Sequence, residues 1–397
     1  MEPRSSRSRP RRNPEPRRTV AAVVLSVLLA PALAACSDEE QPPGSTVTAT
    51  AGVTDPPPDT STPSTDPGPV SGDPQGTTPV VTGLTTPWGL GFLPDGSALV
   101  TERDTGRLLH LVERGERWRS RVVGTVEAES GGESGLLGVA VSPTFDEDSE
   151  VFLYLTTRED NRVVTVRFDG EATSAPEPVL TGIPSSFLHD GGRMAFGPDG
   201  HLYVSTGDAT QPDLAQDRDS LAGKILRITP DGDPAPGNPW DSPVYSMGHR
   251  NVQGLAFDDE GRLWATEFGD STWDELNLIS AGGNYGWPVM EGNEGRDDEA
   301  FTAPAAVWNP AENSPSGLAF RDGVLWSGAL RGTRLWGTAL DLKGGVQPPR
   351  DWFVGDLGRI RTVSTAPDGS LWITTSNTDG RAEPGPRDDR VLRVEFD

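Results

Sequence analysis

The sequence predicts an all-β protein: a six-bladed β-propeller preceded by a signal peptide and a disordered linker. Three observations predict it. Similar short apolar runs open at residues 89, 138, 193, 254, 317 and 362, spaced 45 to 63 residues apart. Most run into an Asp-Gly turn, "PDG" at 94, 198 and 367 and "RDG" at 321, with "DEG" at 259 a close variant. Asp-Gly between apolar runs signals a tight hairpin. Two further alternating runs follow each opening, as in "HLYVST" and "GKILRI", and no stretch after residue 80 has helical periodicity. Repeats of about fifty residues with three or four antiparallel strands are blades, and six of them close into a ring.

The segments ahead of the ring are read in order. Residues 1–36 carry seven arginines, then an uncharged run from Thr19 to Ala35 that ends in "LAAC". A spanning helix needs about 20 apolar residues; this run is shorter and contains Pro31, so it reads as an export signal. The small residues before Cys36, the single cysteine, resemble a bacterial lipobox and mark Cys36 for lipidation. Residues 37–79 are almost entirely Pro, Thr, Ser, Gly, Asp and Glu, a composition that cannot bury a core. They read as a stalk, and 80–397 as the propeller domain. The expected localisation is therefore export, with a lipid anchor on the outer face of a bacterial cytoplasmic membrane and no other membrane contact. With one cysteine, no internal disulfide is available and packing must hold the ring. A net charge of −25 argues against nucleic acid as a partner.

Within each blade the strands are numbered from the centre outward. The segment 79–89 has no unit before it, so it is expected to supply the missing outer strand of the last blade. Successive connections in an up-and-down blade alternate between the two faces of the ring. With the Asp-Gly turns at the bottom, second-to-third loops and blade-to-blade links must lie on top. Those are where the unusual residues fall. The links carry Glu133, His189, Arg250, Asn251, Gln253, Trp308, Arg359 and Arg361; the loops carry Asp208, the run Glu267 to Asp274, and Arg331.

The repeats also sort the histidines. His201 fills a slot held by Ser97, Arg262 and Ser370 in other blades, which makes it scaffold, and His110 lies inside a third strand. His249 either orients its loop or joins the site. His189, flanked by "DGG" and without a counterpart, is the candidate general base. Lys224 occupies a slot that is arginine elsewhere and reads as scaffold. Arginines from three blades converging on one rim of an acidic protein point to an anionic ligand, on which Trp308 could stack. Gly269 and Asp270 could offer oxygens to a hard cation.

These motifs resemble the soluble PQQ-dependent sugar dehydrogenases, the glucose/sorbosone dehydrogenase family. The resemblance rests on "GESGLLGVAVSP", "HDGGRMAFGPDGHLYVSTGD", "GKILRI", "GHRNVQGLAF", "DELNLI", "GGNYGWP" and "GRIRTV", in that order across nearly all of 80–397. It implies pyrroloquinoline quinone (PQQ) and Ca²⁺ as cofactors, an aldose as substrate oxidised at C1 to the lactone, and an unidentified electron acceptor. It further implies His189 as base, Asp208 as its support and Arg250 as stabiliser of charge on the quinone. Asn251, Gln253, Arg331, Arg359 and Arg361 would hold the cofactor's carbonyls and carboxylates, beside Glu133 and Trp308, which the top links place there, with main-chain oxygens of Gly269 and Asp270 on the metal. Glu133 stands where glucose-oxidising members carry glutamine, and Phe268 where glutamine or histidine is usual. A broad aldose specificity is therefore expected. A calcium-dependent sugar lactonase and a non-catalytic glycan- or protein-binding propeller are the competing readings.

Overall fold

The structure is a computed structural model and describes residues 72–115, 117–293, 299–341 and 345–397. The strands form six four-stranded antiparallel sheets. Their first strands are Pro87–Phe92, Leu136–Val141, Met194–Phe196, Val252–Phe257, Pro315–Arg321 and Ile360–Thr365. Those of neighbouring blades pack on one another around the centre. The expected six-bladed ring is what the chain forms.

Three of the bottom turns, the "PDG" turns of blades one, three and six, share one device. In them the aspartate side chain accepts the backbone N–H two residues on: Ser97 N–H to Asp95 (2.9 Å), His201 N–H to Asp199 (3.1 Å) and Ser370 N–H to Asp368 (2.9 Å). The intervening glycine takes a left-handed φ, +74° at Gly200, which costs glycine little. Local chemistry thus specifies these hairpins without help from tertiary contacts.

The last blade joins Ile360–Thr365, Leu371–Thr375 and Arg390–Phe396 to Pro74–Thr82 from the other end of the chain. The pairing puts Thr77 opposite Val394 and Val81 opposite Val391, so N- and C-terminal segments latch the ring. This strand starts at Pro74, six residues ahead of the boundary expected at residue 80. An edge strand needs partners on one side only, so it tolerates Pro74 and Pro79, with a bulge beside each. Its low-complexity composition hid it inside the linker. The expected signal segment, Cys36 and residues 37–71 of the linker lie outside the described residues.

Between blades the inner faces interdigitate. Trp264, Leu276, Trp308, Leu318 and Trp336 fill the seam of blades four and five, and Val81, Leu109, Trp372 and Val391 that of blades six and one. Each such side chain stabilises by about 1.5–3 kcal/mol on burial. Together these seams make the ring rigid enough to hold irregular loops at its top.

Candidate active site

A cavity of about 670 Å³ opens at the top of the ring, within the size range of cofactor and ligand sites. Its wall is drawn from five blades: Glu133 and His189 enter from the links before blades two and three, and Arg250, Asn251 and Gln253 from the link before blade four. Phe268, Gly269, Asp270 and Asp274 come from the second-to-third loop of blade four. Leu330 and Arg331 come from that of blade five, Arg359 and Arg361 from the link before blade six, and Arg381 from blade six's own loop. Residues up to 248 positions apart in sequence share one wall, as the alternation of connections requires.

His189 sits in a left-handed conformation, φ +63°, which a non-glycine residue keeps only when its surroundings hold it there. They do so at three points. Its N–H donates to the Glu133 carboxylate (3.1 Å), its carbonyl accepts the N–H of Ala209 (3.2 Å), and its ring Nδ1 meets Asp208 Oδ1 at 2.7 Å. Asp208 is fully buried and also accepts from the Thr210 amide and the Trp287 indole, each at 2.8 Å. With the carboxylate accepting at Nδ1, the imidazole carries its proton there and Nε2 is left as the basic nitrogen. The candidate base and its candidate support, both named from sequence, are therefore in contact.

Five arginines and three carboxylates line the cavity. Arg250 reaches Asp270 (3.1 Å) and lies over the Trp287 ring (5.3 Å), while its buried Nε has no partner among the described residues. Arg359 and Arg361 share Asp379, at 2.9 and 3.5 Å. Burial, and then the neighbouring charge of Arg103, pushes Arg361 down to about 9, and burial lowers Arg359 as well. One carboxylate thus serves two buried guanidiniums, an imbalance that an anionic ligand would offset. Arg331 is exposed and its side chain has no ion pair or hydrogen bond among the described residues. Beneath them Arg193 lies over Trp88 (4.3 Å) and donates to the Gln253 carbonyl (2.8 Å) and Thr362 (3.1 Å), closing the floor.

The carboxylates facing the cavity already have donors. Glu133 also accepts from Asn251 (3.0 Å), and Asp274 accepts the N–H groups of Gly269 (2.9 Å) and Ser314 (2.6 Å). By contrast, the carbonyl oxygens of Gly269 and Asp270 accept no hydrogen bond among the described residues. A hard cation would find its protein ligands in those two oxygens. Asn251 spends its oxygen on the Gly191 amide (3.1 Å) and one amide hydrogen on Glu133, and Gln253 its oxygen on Ser316 (3.0 Å) and Arg361 (3.2 Å), so Asn251 keeps one amide hydrogen and Gln253 both for a ligand.

Trp308 is a correction. It ends the fourth strand of blade four, pairs opposite Asp274 and packs against Trp336 (5.9 Å) in the interblade core. Its ring is buried in that seam and forms no part of the cavity wall, so it stacks on no ligand. The undecided His249 is wholly buried between Glu267 (2.8 Å) and Ser246 (2.9 Å), stacked on Tyr285, and so orients its loop. Lys224 donates to the carbonyls of Leu214, Ala215 and Ala222 and is scaffold, as its slot indicated. Sequence reasoning assigned no role to Arg381, Asp379, Arg193 or Trp287. Of these, Arg193 and Trp287 stood in recognised motifs, "HDGGRMAFGPDGHLYVSTGD" and "GGNYGWP".

Fold and site together define a sugar-dehydrogenase type of propeller, and the comparisons agree. The chain belongs to the glucose/sorbosone dehydrogenase family, whose model matches residues 84–383. It is 47% identical to the PQQ-bound aldose sugar dehydrogenase of Streptomyces coelicolor, with a TM-score of 0.79 over 83% of this chain and 99% of that one. The aldose sugar dehydrogenase YliI of Escherichia coli is 29% identical over 75% of this chain and 89% of its own length. Quinoprotein glucose dehydrogenase B of Acinetobacter calcoaceticus is 31% identical over 58% of this chain and 56% of its own.

Proposed function

We propose that this protein oxidises aldoses at C1 to their lactones using PQQ and calcium. The observation that carries the reading is the joint presence, in one cavity, of an Asp208-supported histidine, under-compensated arginines and two unbonded main-chain oxygens. When bound, PQQ supplies the two-electron oxidising power and calcium acts as a Lewis acid. The chain's own residues do the rest. His189 Nε2 takes the proton of the C1 hydroxyl, and Asp208 stabilises the imidazolium that results. Arg250, held between Asp270 and Trp287, presents cationic charge where negative charge builds up. Arg331, Arg359 and Arg361, with the free amide hydrogens of Asn251 and Gln253, bind the carboxylates and carbonyls of a planar polyanion. Gly269 and Asp270 would hold the metal.

The test is dye reduction by the purified protein across a panel of aldoses, with PQQ and Ca²⁺ added singly and together. Activity that needs both and is lost on chelation is the expected result; sugar-independent silence with both cofactors bound would sink the reading. We infer further that the protein is exported and lipidated at Cys36, on the strength of the segment ahead of the ring, with an external acceptor reoxidising the cofactor. Cys36→Ser should move the protein from the membrane fraction to the medium.

A further inference from the structure

We propose that Glu291 is a positioning residue that aims the Gly269 and Asp270 carbonyls at the cation. The inference rests on the reading above that these two oxygens hold calcium. Glu291 belongs to residues 280–305, which connect the third and fourth strands of blade four. By alternation such a connection starts and ends at the bottom, yet this one is long enough to climb to the top loop 268–273. There a single oxygen, Glu291 Oε1, accepts four consecutive backbone N–H groups: Asp270 (2.8 Å), Ser271 (3.1 Å), Thr272 (3.0 Å) and Trp273 (3.0 Å). Converging amides of this kind form an anion-binding nest, here filled by the protein's own carboxylate.

The consequence follows from peptide geometry. In a trans peptide the C=O of one residue points opposite to the N–H of the next. The N–H of Asp270 shares its peptide with the carbonyl of Gly269, and the N–H of Ser271 with the carbonyl of Asp270. By drawing those two N–H groups to itself, Glu291 turns the two candidate ligand oxygens away from it, and neither accepts a hydrogen bond among the described residues. Asp274 takes the remaining N–H, that of Gly269, at 2.9 Å. A second observation shows how tightly the seat is built. A Cβ at residue 269 would stand 1.8 Å from the Trp273 carbonyl oxygen and 2.6 Å from Glu291 Oε1, so only glycine lets the loop close on this carboxylate. An anion at the N–H end also polarises these peptides and makes their oxygens better ligands.

The experiment is calorimetric titration of the apo protein with Ca²⁺, alone and with PQQ present, for wild type, Glu291→Ala, Glu291→Gln and Glu291→Asp. Thermal melting of each variant reports the fold. Partners that orient metal ligands are worth about 10–100-fold in affinity. Glu291→Ala should lose that much. Glu291→Gln keeps an oxygen in the nest and should stay within about fivefold of wild type, whereas Glu291→Asp keeps the charge but falls short and should resemble Ala. Should Ala fail to fold, the Gln-against-Asp contrast decides. Calcium affinity equal to wild type in both Ala and Asp overturns the proposal while leaving the calcium reading intact. Wild type that binds no calcium in either titration removes the metal reading, and this proposal with it.

Discussion

The two faces of the ring are built from the same strands and differ in how they treat charge. At the bottom, burial pushes the Asp199 and Asp258 carboxyls up, but hydrogen bonds from Arg227 to the first and from Trp264 and the turn amides to the second leave both below their ordinary values. Asp368 is pulled down by Ser370. Even the groove of about 540 Å³ at that end has its cations paired, Arg321 with Asp322 and Arg393 with Asp368. At the top, Asp379 is likewise held down against burial by Arg361 and Arg359, but other groups go the opposite way. Burial raises Asp274 to about 6 and, with the charge of Glu267 added, Glu275 to about 8, while Arg361 is pushed down. Repetition has satisfied the bottom, and departures from repetition have left the top with unmet electrostatic demand. That demand is what a cofactor meets.

Blade three offers the sharpest way to break the comparison, since it has a histidine at each end. His201 touches Arg227 (3.2 Å) and Asp199 (3.5 Å) at the bottom, whereas His189 is set by Asp208 at the top. Removing a general base costs about 10²–10⁴-fold in rate. His189→Asn should therefore lower kcat by that factor in the dye assay, with His201→Asn within about twofold of wild type. Equal losses would erase the distinction between the faces. Next in size is Trp308→Ala. Because this ring fills the seam against Trp336, its loss should destabilise by about 3–5 kcal/mol in denaturant unfolding. The affinity of the folded fraction for PQQ should not change.

The outcome for Trp308 shows how far sequence reached. Six repeats with a shared turn made the ring legible, because each hairpin is specified locally and closure follows from counting. Alternation then placed His189, Arg250, Arg331, Arg359 and Arg361 at one mouth, since the face of a short connection is fixed by strand parity. It could not say which way a side chain points, and Trp308, at the end of a strand, turns inward. Parity also fails for a connection long enough to cross the blade, so Trp287 and Glu291, both in 280–305, were assigned no role. Arg381 and Asp379 lie in "NTDGRAEPGPRDD", whose turn-like composition looked the same as a solvated loop. The latch strand was anticipated from residue 79 on, but its first part, 74–78, was hidden for a related reason: an edge strand needs little apolar sequence.

A third prediction sharpens the top-face claim. Arg331 alone among the cavity arginines shows no side-chain partner among the described residues. Replacing it leaves no buried carboxylate stranded, so the loss reads the ligand contact directly. A charged hydrogen bond is worth about 1.5–3 kcal/mol, and Arg331→Ala should weaken PQQ binding about 10–100-fold by fluorescence titration while the apo melting temperature stays within about 1 °C.

The smallest expected effect probes the stored strain itself. Glu275 accepts the Gly292 amide (2.7 Å) and Asn277 (2.9 Å) and is held protonated to about pH 8, while an unfolded glutamate ionises near 4.3. Its folded value is the higher one, so between these limits the folded chain binds the extra proton. The stability it contributes is full below about pH 4.5 and is lost as pH rises toward 8. Glu275→Gln imitates the protonated form and should flatten that decline, raising the melting temperature by a few degrees at pH 8 relative to wild type and by almost nothing at pH 5. Asp274 (about 6) falls with the same sign, whereas Lys224, which burial lowers to about 7, acts in the opposite direction above that pH. Both are present in each protein, so the difference between the two melting curves isolates Glu275. A difference independent of pH would mean that the carboxyl is ionised in the fold and that the top face carries less strain than its burial implies.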